Sequence, residues 1–170
     1  MKANSLMRNF DRKFLKSFML SKAAEYAIRS MVYIWMMNQQ GKRPGYRTIA
    51  TEVGSPEHFT AKVLQTMTRH NLVKAGKGRG GGFYFEHPEE ELAVFEIIKA
   101  IDGEKFFSSC AFGFENCNCS NPCPMHDEFK LVRDNFSEMV IKITVQSMAA
   151  KIMNGSASLN QNKIVSPSAT

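Results

Sequence analysis

All four cysteines of this chain, Cys110, Cys117, Cys119 and Cys123, fall within the stretch CAFGFENCNCSNPCPMH at residues 110–126. The intervening runs are six, one and three residues long. Thiols gathered so closely either pair as disulfides or ligate a metal. Prolines, glycine and asparagines surround them, so the segment reads as a loop able to wrap an object. Structural zinc usually shows paired C-x-x-C knuckles, and this chain has none. Iron–sulfur clusters are held by thiolates in irregular loops and tolerate non-cysteine ligands, which tune their potential. His126, three positions past Cys123, is a candidate further ligand or an exposed histidine at a helix start. A reactive-thiol enzyme is the remaining chemistry, with Cys123 activated near a helix N-terminus and assisted by His126. No base–orienter set accompanies that pair, so a non-enzyme is expected.

The compartment bears on the choice. No apolar run approaches the roughly 18–20 residues that span a bilayer; the longest is Met31 to Met37, which reads as buried helix. The N-terminus lacks the apolar core and cleavage site of a secretory signal. A cytoplasmic protein without a membrane partner is expected, and structural disulfides are rare there. That favours a metal. A net charge of +6 permits a nucleic-acid partner without requiring one.

The elements that must position the loop are mostly helical. Residues 1–18 carry Lys2, Arg8, Arg12, Lys13 and Lys16 against Asp11. They read as a basic arm, an extension or the product of a misplaced start codon, with disorder left open. Ser21 caps a first helix whose Ala24, Ala27, Ile28, Met31, Ile34, Trp35 and Asn38 follow the 3.6 period. YRTIATEVG gives a short helix with Ile49, Ala50 and Val53 inward and Gly54 turning the chain. Ser55-Pro56-Glu57 then opens a third helix, to about His70, burying Phe59, Val63, Leu64 and Met67. Two such helices across a glycine turn make a helix-turn-helix pattern. Strands at Leu72-Val73-Lys74 and Phe83-Tyr84-Phe85 flank a glycine-rich loop bearing Lys77 and Arg79, the wing of a winged helix. A helix opened by Pro88-Glu89-Glu90-Glu91 buries Val94, Ile97, Ile98 and Ile101 and stops at Gly103. A long helix from Met125 to Ile152 carries Phe129, Val132, Phe136, Met139 and Ile143 as a coiled-coil seam, which either serves self-association, the reading preferred for a small DNA-binding module, or packs on its own domain.

The fold expected is mainly α with a small β-hairpin wing. A winged helix-turn-helix domain occupies residues 19–103, a cysteine loop 104–124, a dimerisation helix 125–153, and a disordered tail 154–170. For the helix-turn-helix, His58 is the expected base reader and Lys62 contacts a base or phosphate. Thr48 and Ser55, near helix N-termini, bind phosphate, and Arg47, Lys77 and Arg79 supply electrostatics. The partner is double-stranded DNA with a roughly palindromic operator, read by a homodimer.

Five segments in this order, LSKAAEYAIRSM, SPEHFTAKVLQTM, KGRGGGFYF, IIKAIDG and CPMHDEF, resemble the Rrf family of winged-helix regulators of the IscR/NsrR type. The resemblance spans about residues 19–152. It implies a two-iron or four-iron cluster on Cys110, Cys117 and Cys123. It also implies a variable fourth ligand, falling on His126 in the IscR-like pattern or on Glu25, from the partner subunit, in the NsrR-like pattern. The family commonly has five residues in each gap between the three cysteines; here the first gap has six and Cys119 is additional, so Cys119 enters the ligand set as a further candidate. Repression controlled by iron–sulfur status, nitric oxide or redox state is the function implied. A zinc- or thiol-based, or metal-free, winged-helix regulator is the alternative.

Overall fold

The computed structural model describes residues 20–160; the basic arm at 1–18 and the chain from residue 161 lie outside them. The elements are α1 (Lys22–Gln39), α2 (Tyr46–Val53), α3 (Glu57–Arg69), β1 (Lys74–Gly76), β2 (Gly82–Tyr84), α4 (Val94–Asp102), a 3-10 turn (Glu104–Phe107), α5 (His126–Lys142) and α6 (Val145–Met153). The six α-helices and two-stranded antiparallel wing among the described residues agree with the expected fold class.

Helix α1 is the hub, packed against α2, α3, α4 and α6. It starts where the sequence marks it: Ser21 Oγ accepts the Ala24 N–H at 3.0 Å, satisfying one of the donors a helix start leaves over. Met31 and Ile34 are fully buried together with Ile49, Val53, Leu64, Met67, Ile97 and Val145. Each such side chain contributes about 1.5–3 kcal/mol on leaving water. The expected inner positions Ile28 and Trp35 are only partly buried, at the rim of this core.

Between α2 and α3, Gly54 adopts φ 67°, ψ 45°, the left-handed conformation that glycine enters without a Cβ clash. Helix α3 opens one residue later than expected. Pro56 is its N-cap residue, with no side-chain cap. The Ser55 hydroxyl bonds the Thr60 hydroxyl instead, and Thr60 Oγ1 also donates to the Pro56 carbonyl at 3.1 Å. This pairing is what allows Thr60 to be fully buried.

The wing pairs Lys74 with Tyr84, Ala75 with Phe83 and Gly76 with Gly82. Both strands therefore sit nearer the glycine loop than the sequence pattern indicates. Val73 goes into the core instead of the ladder. Phe85 leaves the ladder because its N–H donates to Asn38 Oδ1 at 2.9 Å, while Asn38 Nδ2 donates to the carbonyls of Lys42 and Phe83. The Phe83 N–H donates to the Pro44 carbonyl at 3.0 Å, laying the segment before α2 alongside β2.

Two expected helix boundaries fail for one shared reason. The run Pro88 to Glu91 does not open α4, which begins at Val94, and the helix expected to run from Met125 to Ile152 breaks after Lys142. Residues 90–94 and 143–146 are laced together. Val94 N–H donates to Ile143 O at 2.9 Å and Val145 N–H to Leu92 O at 2.8 Å. Gln146 receives the Leu92 N–H and donates to Glu90 O. Ala93 and Thr144 form an antiparallel bridge. Ile143 and Thr144 are thus held extended, and Thr144 restarts the chain as α6 with a reciprocal capping box to Ser147. Replacing Thr144 by Ala is expected to cost about 1 kcal/mol, lowering the melting temperature by about 2–4 °C, measurable by circular dichroism.

The expected seam on α5 is divided between two faces. Phe136 turns onto Phe106 and Phe107, with ring centroids 6.0 and 6.5 Å away, next to the buried Val140. Val132 and Met139, with Leu131, stay exposed at 59%, 45% and 66%. The tail expected to be disordered from residue 154 is structured through Asn160: Leu159 packs on the main core, and Asn160 Nδ2 donates to the Glu52 carbonyl at 3.2 Å.

Candidate metal centre and nucleic-acid interface

Gly103 ends α4 at φ 82°, and the following turn lodges Phe107 against Phe95 at 4.4 Å between centroids. Ser109 Oγ then donates to Lys105 O at 2.6 Å, and Arg133 of α5 donates to Ser108 O at 3.3 Å. Farther along, Asn118 Oδ1 accepts the N–H groups of Ser120 and Asn121, an Asx turn that folds the loop back. The start of the loop is thereby tied to α5 and its end runs directly into that helix, and the cysteines converge around the helix N-terminus.

The thiol sulfurs of Cys110, Cys117 and Cys123 lie within 4.8 Å of one another. Cys110 and Cys123 are 3.4 Å apart, and Cys117 Sγ accepts the Cys123 N–H at 3.3 Å. Cys123 is 6% exposed, while Cys119 is exposed. Burial opposes ionisation of Cys110, but hydrogen bonds from the backbone at Phe114 and Phe112 and from the Cys123 and Cys117 thiols outweigh it and bring Cys110 down to about 7. Cys117 receives a backbone hydrogen bond at Cys123 that favours its thiolate. Desolvation and the neighbouring Cys110 and Cys123 thiols together outweigh that bond and push it up. One thiolate thus forms readily and the next against its charge, a conflict that a bound cation relieves.

The donor set fits a thiophilic metal group. The space enclosed by the three cysteines, Met125, His126, Phe129 and Arg133 is about 10 Å³. A single tetrahedral ion with metal–sulfur bonds of about 2.3 Å would want sulfurs roughly 3.8 Å apart, close to the spacing present. Cys110 and Cys117 also border an adjoining depression of about 580 Å³ beside Ser108, Gly113 and Asn116, where a larger group would find room.

The remaining candidate ligands are placed unequally. His126, the first residue of α5, has Nδ1 3.1 Å from Cys117 Sγ and Nε2 3.8 Å from Cys119 Sγ. It stands beside the trio, with Cys119 on its far side. Glu25 is occupied within its own helix, 2.6 Å from Lys22 Nζ and 3.9 Å from Arg29. Arg133, which the sequence reading passed over, is the cation lining the same cavity; its position fourteen residues after Cys119 gives no sign of that.

On α3, His58, Lys62 and Gln65 share one exposed face, as the helical period requires. Thr48 is exposed in the first turn of α2. Arg47 extends beside it, engaged by the Tyr46 hydroxyl at 3.1 Å and by Glu57 at 3.5 Å. Ser55 is only half-exposed; its N–H donates to Ala50 O and its hydroxyl is taken by Thr60. Lys77 and Arg79 are exposed on the wing loop. Arg43, also missed from sequence, lays its guanidinium 4.0 Å from the Tyr84 ring centroid; a cation in the loop NQQGKRPG gave no hint of an aromatic forty residues away.

The sequence profile of the Rrf2 family, described as iron-dependent transcriptional regulator, matches residues 20–151. This chain belongs to the Rrf2 family. Among Rrf2-type relatives it is 23% identical over 129 residues to the HTH-type transcriptional regulator IscR of Pectobacterium carotovorum, covering 76% of this chain and 77% of that one. To the HTH-type transcriptional repressor NsrR of Streptomyces coelicolor it is 25% identical over 114 residues, or 67% and 72% of the two chains. Protein aau3 of Rhizobium meliloti is 26% identical over 76% of this chain and 83% of its own. Two solved structures share the fold: CymR of B. subtilis, TM-score 0.63 at 18% identity over 77% of this chain and 95% of that one, and T. potens IscR, TM-score 0.64 at 17% identity over 85% and 95%. The Rrf2 assignment makes this chain a transcriptional regulator, not an enzyme, and its winged helix implies DNA binding. No helix among the described residues is long and apolar enough to cross a membrane.

Proposed function

We propose that this Rrf2 protein is a cytoplasmic, homodimeric repressor whose affinity for a palindromic operator is set by an iron–sulfur cluster. The convergence of three thiol sulfurs within 4.8 Å, around the N-terminus of α5, is the observation that carries the reading. Cys110, Cys117 and Cys123 would hold the cluster, and the positive end of α5 together with Arg133 would offset its charge. His126 is the fourth ligand best supported within one chain, by its 3.1 Å contact with Cys117; Glu25 of the partner subunit and Cys119 are the other candidates. When bound, the cluster supplies a redox- and nitric-oxide-reactive centre. The chain's own contribution is mechanical: the loop joins the 3-10 turn after α4 to α5, so spreading or collapsing it biases how α5 meets its mate. Such a bias acts only through different stabilities of two arrangements. On DNA, His58 and Lys62 would meet base edges, with Thr48, Arg47, Ser55, Lys77 and Arg79 along the phosphates.

The near-tetrahedral spacing of Cys110 and Cys123 favours one second reading, a regulator holding a single zinc ion. Anaerobic purification followed by iron, sulfide and zinc analysis and visible spectroscopy separates them. A brown protein carrying acid-labile sulfide is expected; one zinc per chain without colour would overturn the cluster.

A further inference from the structure

We propose that Arg43 is a DNA-phosphate contact, aimed by Tyr84, that joins the loop before α2 to the wing as one backbone-gripping surface. The inference rests on the DNA-binding reading above and adds a residue to it. Arg43 is exposed, yet its guanidinium is not loose: the Tyr84 ring lies beneath it at 4.0 Å. Stacking of this kind fixes a planar, five-donor group at little cost in remaining freedom.

The donors so fixed are uncommitted. Among the described residues no carboxylate, carbonyl or hydroxyl accepts from Arg43, whereas Arg29 serves Val53 O, Arg47 serves Tyr46 and Glu57, and Arg133 serves Ser108 O and Asp134. An oriented cation without an anion is suited to one brought from outside. Its seat indicates which. Nη1 lies 3.8 Å from where a Cβ of Gly76 would stand, and Gly76 directly precedes Lys77 at the base of the wing loop. The adjoining segment is built into the wing through the Phe83 N–H to Pro44 O bond. A polyanion lying on Lys77 and Arg79 therefore passes a glycine surface, with no side chain to hold it off, and meets Arg43 next. Duplex DNA supplies phosphates in such a row; a bidentate guanidinium–phosphate pair is the contact expected.

The test measures binding of the full-length protein to a mixed-sequence duplex across a salt series by fluorescence anisotropy, since phosphate contacts need no operator. Arg43→Ala is expected to weaken binding at low salt on the order of fivefold and to lower the slope of log K against log salt by about 0.9 for each Arg43 engaged. Arg43→Gln should share that lower slope, and Arg43→Lys should keep the wild-type slope while binding more weakly. Thermal melts matching wild type exclude unfolding as the cause. If Arg43→Ala weakens binding with an unchanged slope, Arg43 only braces the wing and the proposal falls, while Lys62→Ala still lowering the slope leaves the DNA reading intact. Failure of the wild-type protein to bind duplex at low salt would overturn both.

Discussion

Cys123→Ala protein reconstituted anaerobically with ferrous iron and sulfide is expected to hold at least about tenfold less of both than wild type. Cys123 is the most buried of the four cysteines and the only one with its sulfur 3.4 Å from Cys110 and its backbone donating to Cys117. Its loss would remove one of the three proposed ligands and leave the other two thiols without their central neighbour. Cys119→Ala should retain iron and sulfide near wild-type levels, because Cys119 is exposed and lies outside the trio of converging thiols. His126→Ala is the informative intermediate, reducing retention or shifting the visible spectrum if its imidazole ligates. The assignment rests on the contrast between variants. Iron and sulfide retained by Cys123→Ala but lost by Cys119→Ala would move the centre to another ligand set.

Gly82→Ala is expected to disable the wing. Gly82 sits at φ 138°, outside the range that residues with a side chain adopt readily. A Cβ there would stand 2.2 Å from the Arg43 carbonyl oxygen and 2.9 Å from that of Pro44. Both obstacles are backbone, so no rotamer change clears them. The chain must either separate β2 from the segment before α2 or pay strain on the order of 1–3 kcal/mol together with a comparable overpacking cost. Either way Lys77 and Arg79 lose their fixed placement. Duplex affinity should fall on the order of tenfold or more, with the melting temperature lowered. Gly78→Ala is the matched control: its φ is also positive, but nothing lies within 4 Å of its Cβ, so it should show strain alone. Equal and slight effects of the two substitutions would mean that close backbone packing at Gly82 is unimportant.

The parts of the fold legible in the sequence are those set by local chemistry. Ser21 as a cap, the left-handed Gly54 and the 3.6-residue rows of α1, α3 and α4 depend on neighbours within one or two turns. The errors arise where distant chain decides. Nothing near Pro88 shows that residues 90–94 will pair with 143–146, and nothing in the apolar row of α5 shows that Thr144 will cap a new helix. Leu92, Val94, Ile143 and Val145 exchange backbone hydrogen bonds across some fifty residues, and the competing local helix signals lose to them. At the candidate metal site, cysteine clustering singled out the loop, and the structure separates the trio from Cys119 by burial, which spacing does not encode. Ser55 illustrates the same limit at the DNA face, where a residue type suited to capping or phosphate spends its hydroxyl on Thr60.

The seating of α6 against α1 bears on how the polypeptide is made. Val145 and Ala149 are completely enclosed in the same core as Ala27 and Met31, contacts more than a hundred residues apart in the chain. On the ribosome, the side of α1 that faces α6 therefore stays uncovered until residues 145–149 have emerged. Such distant closures slow assembly relative to neighbour-to-neighbour ones, and a message truncated ahead of residue 145 would encode a reading head with one wall of its interior left open to water.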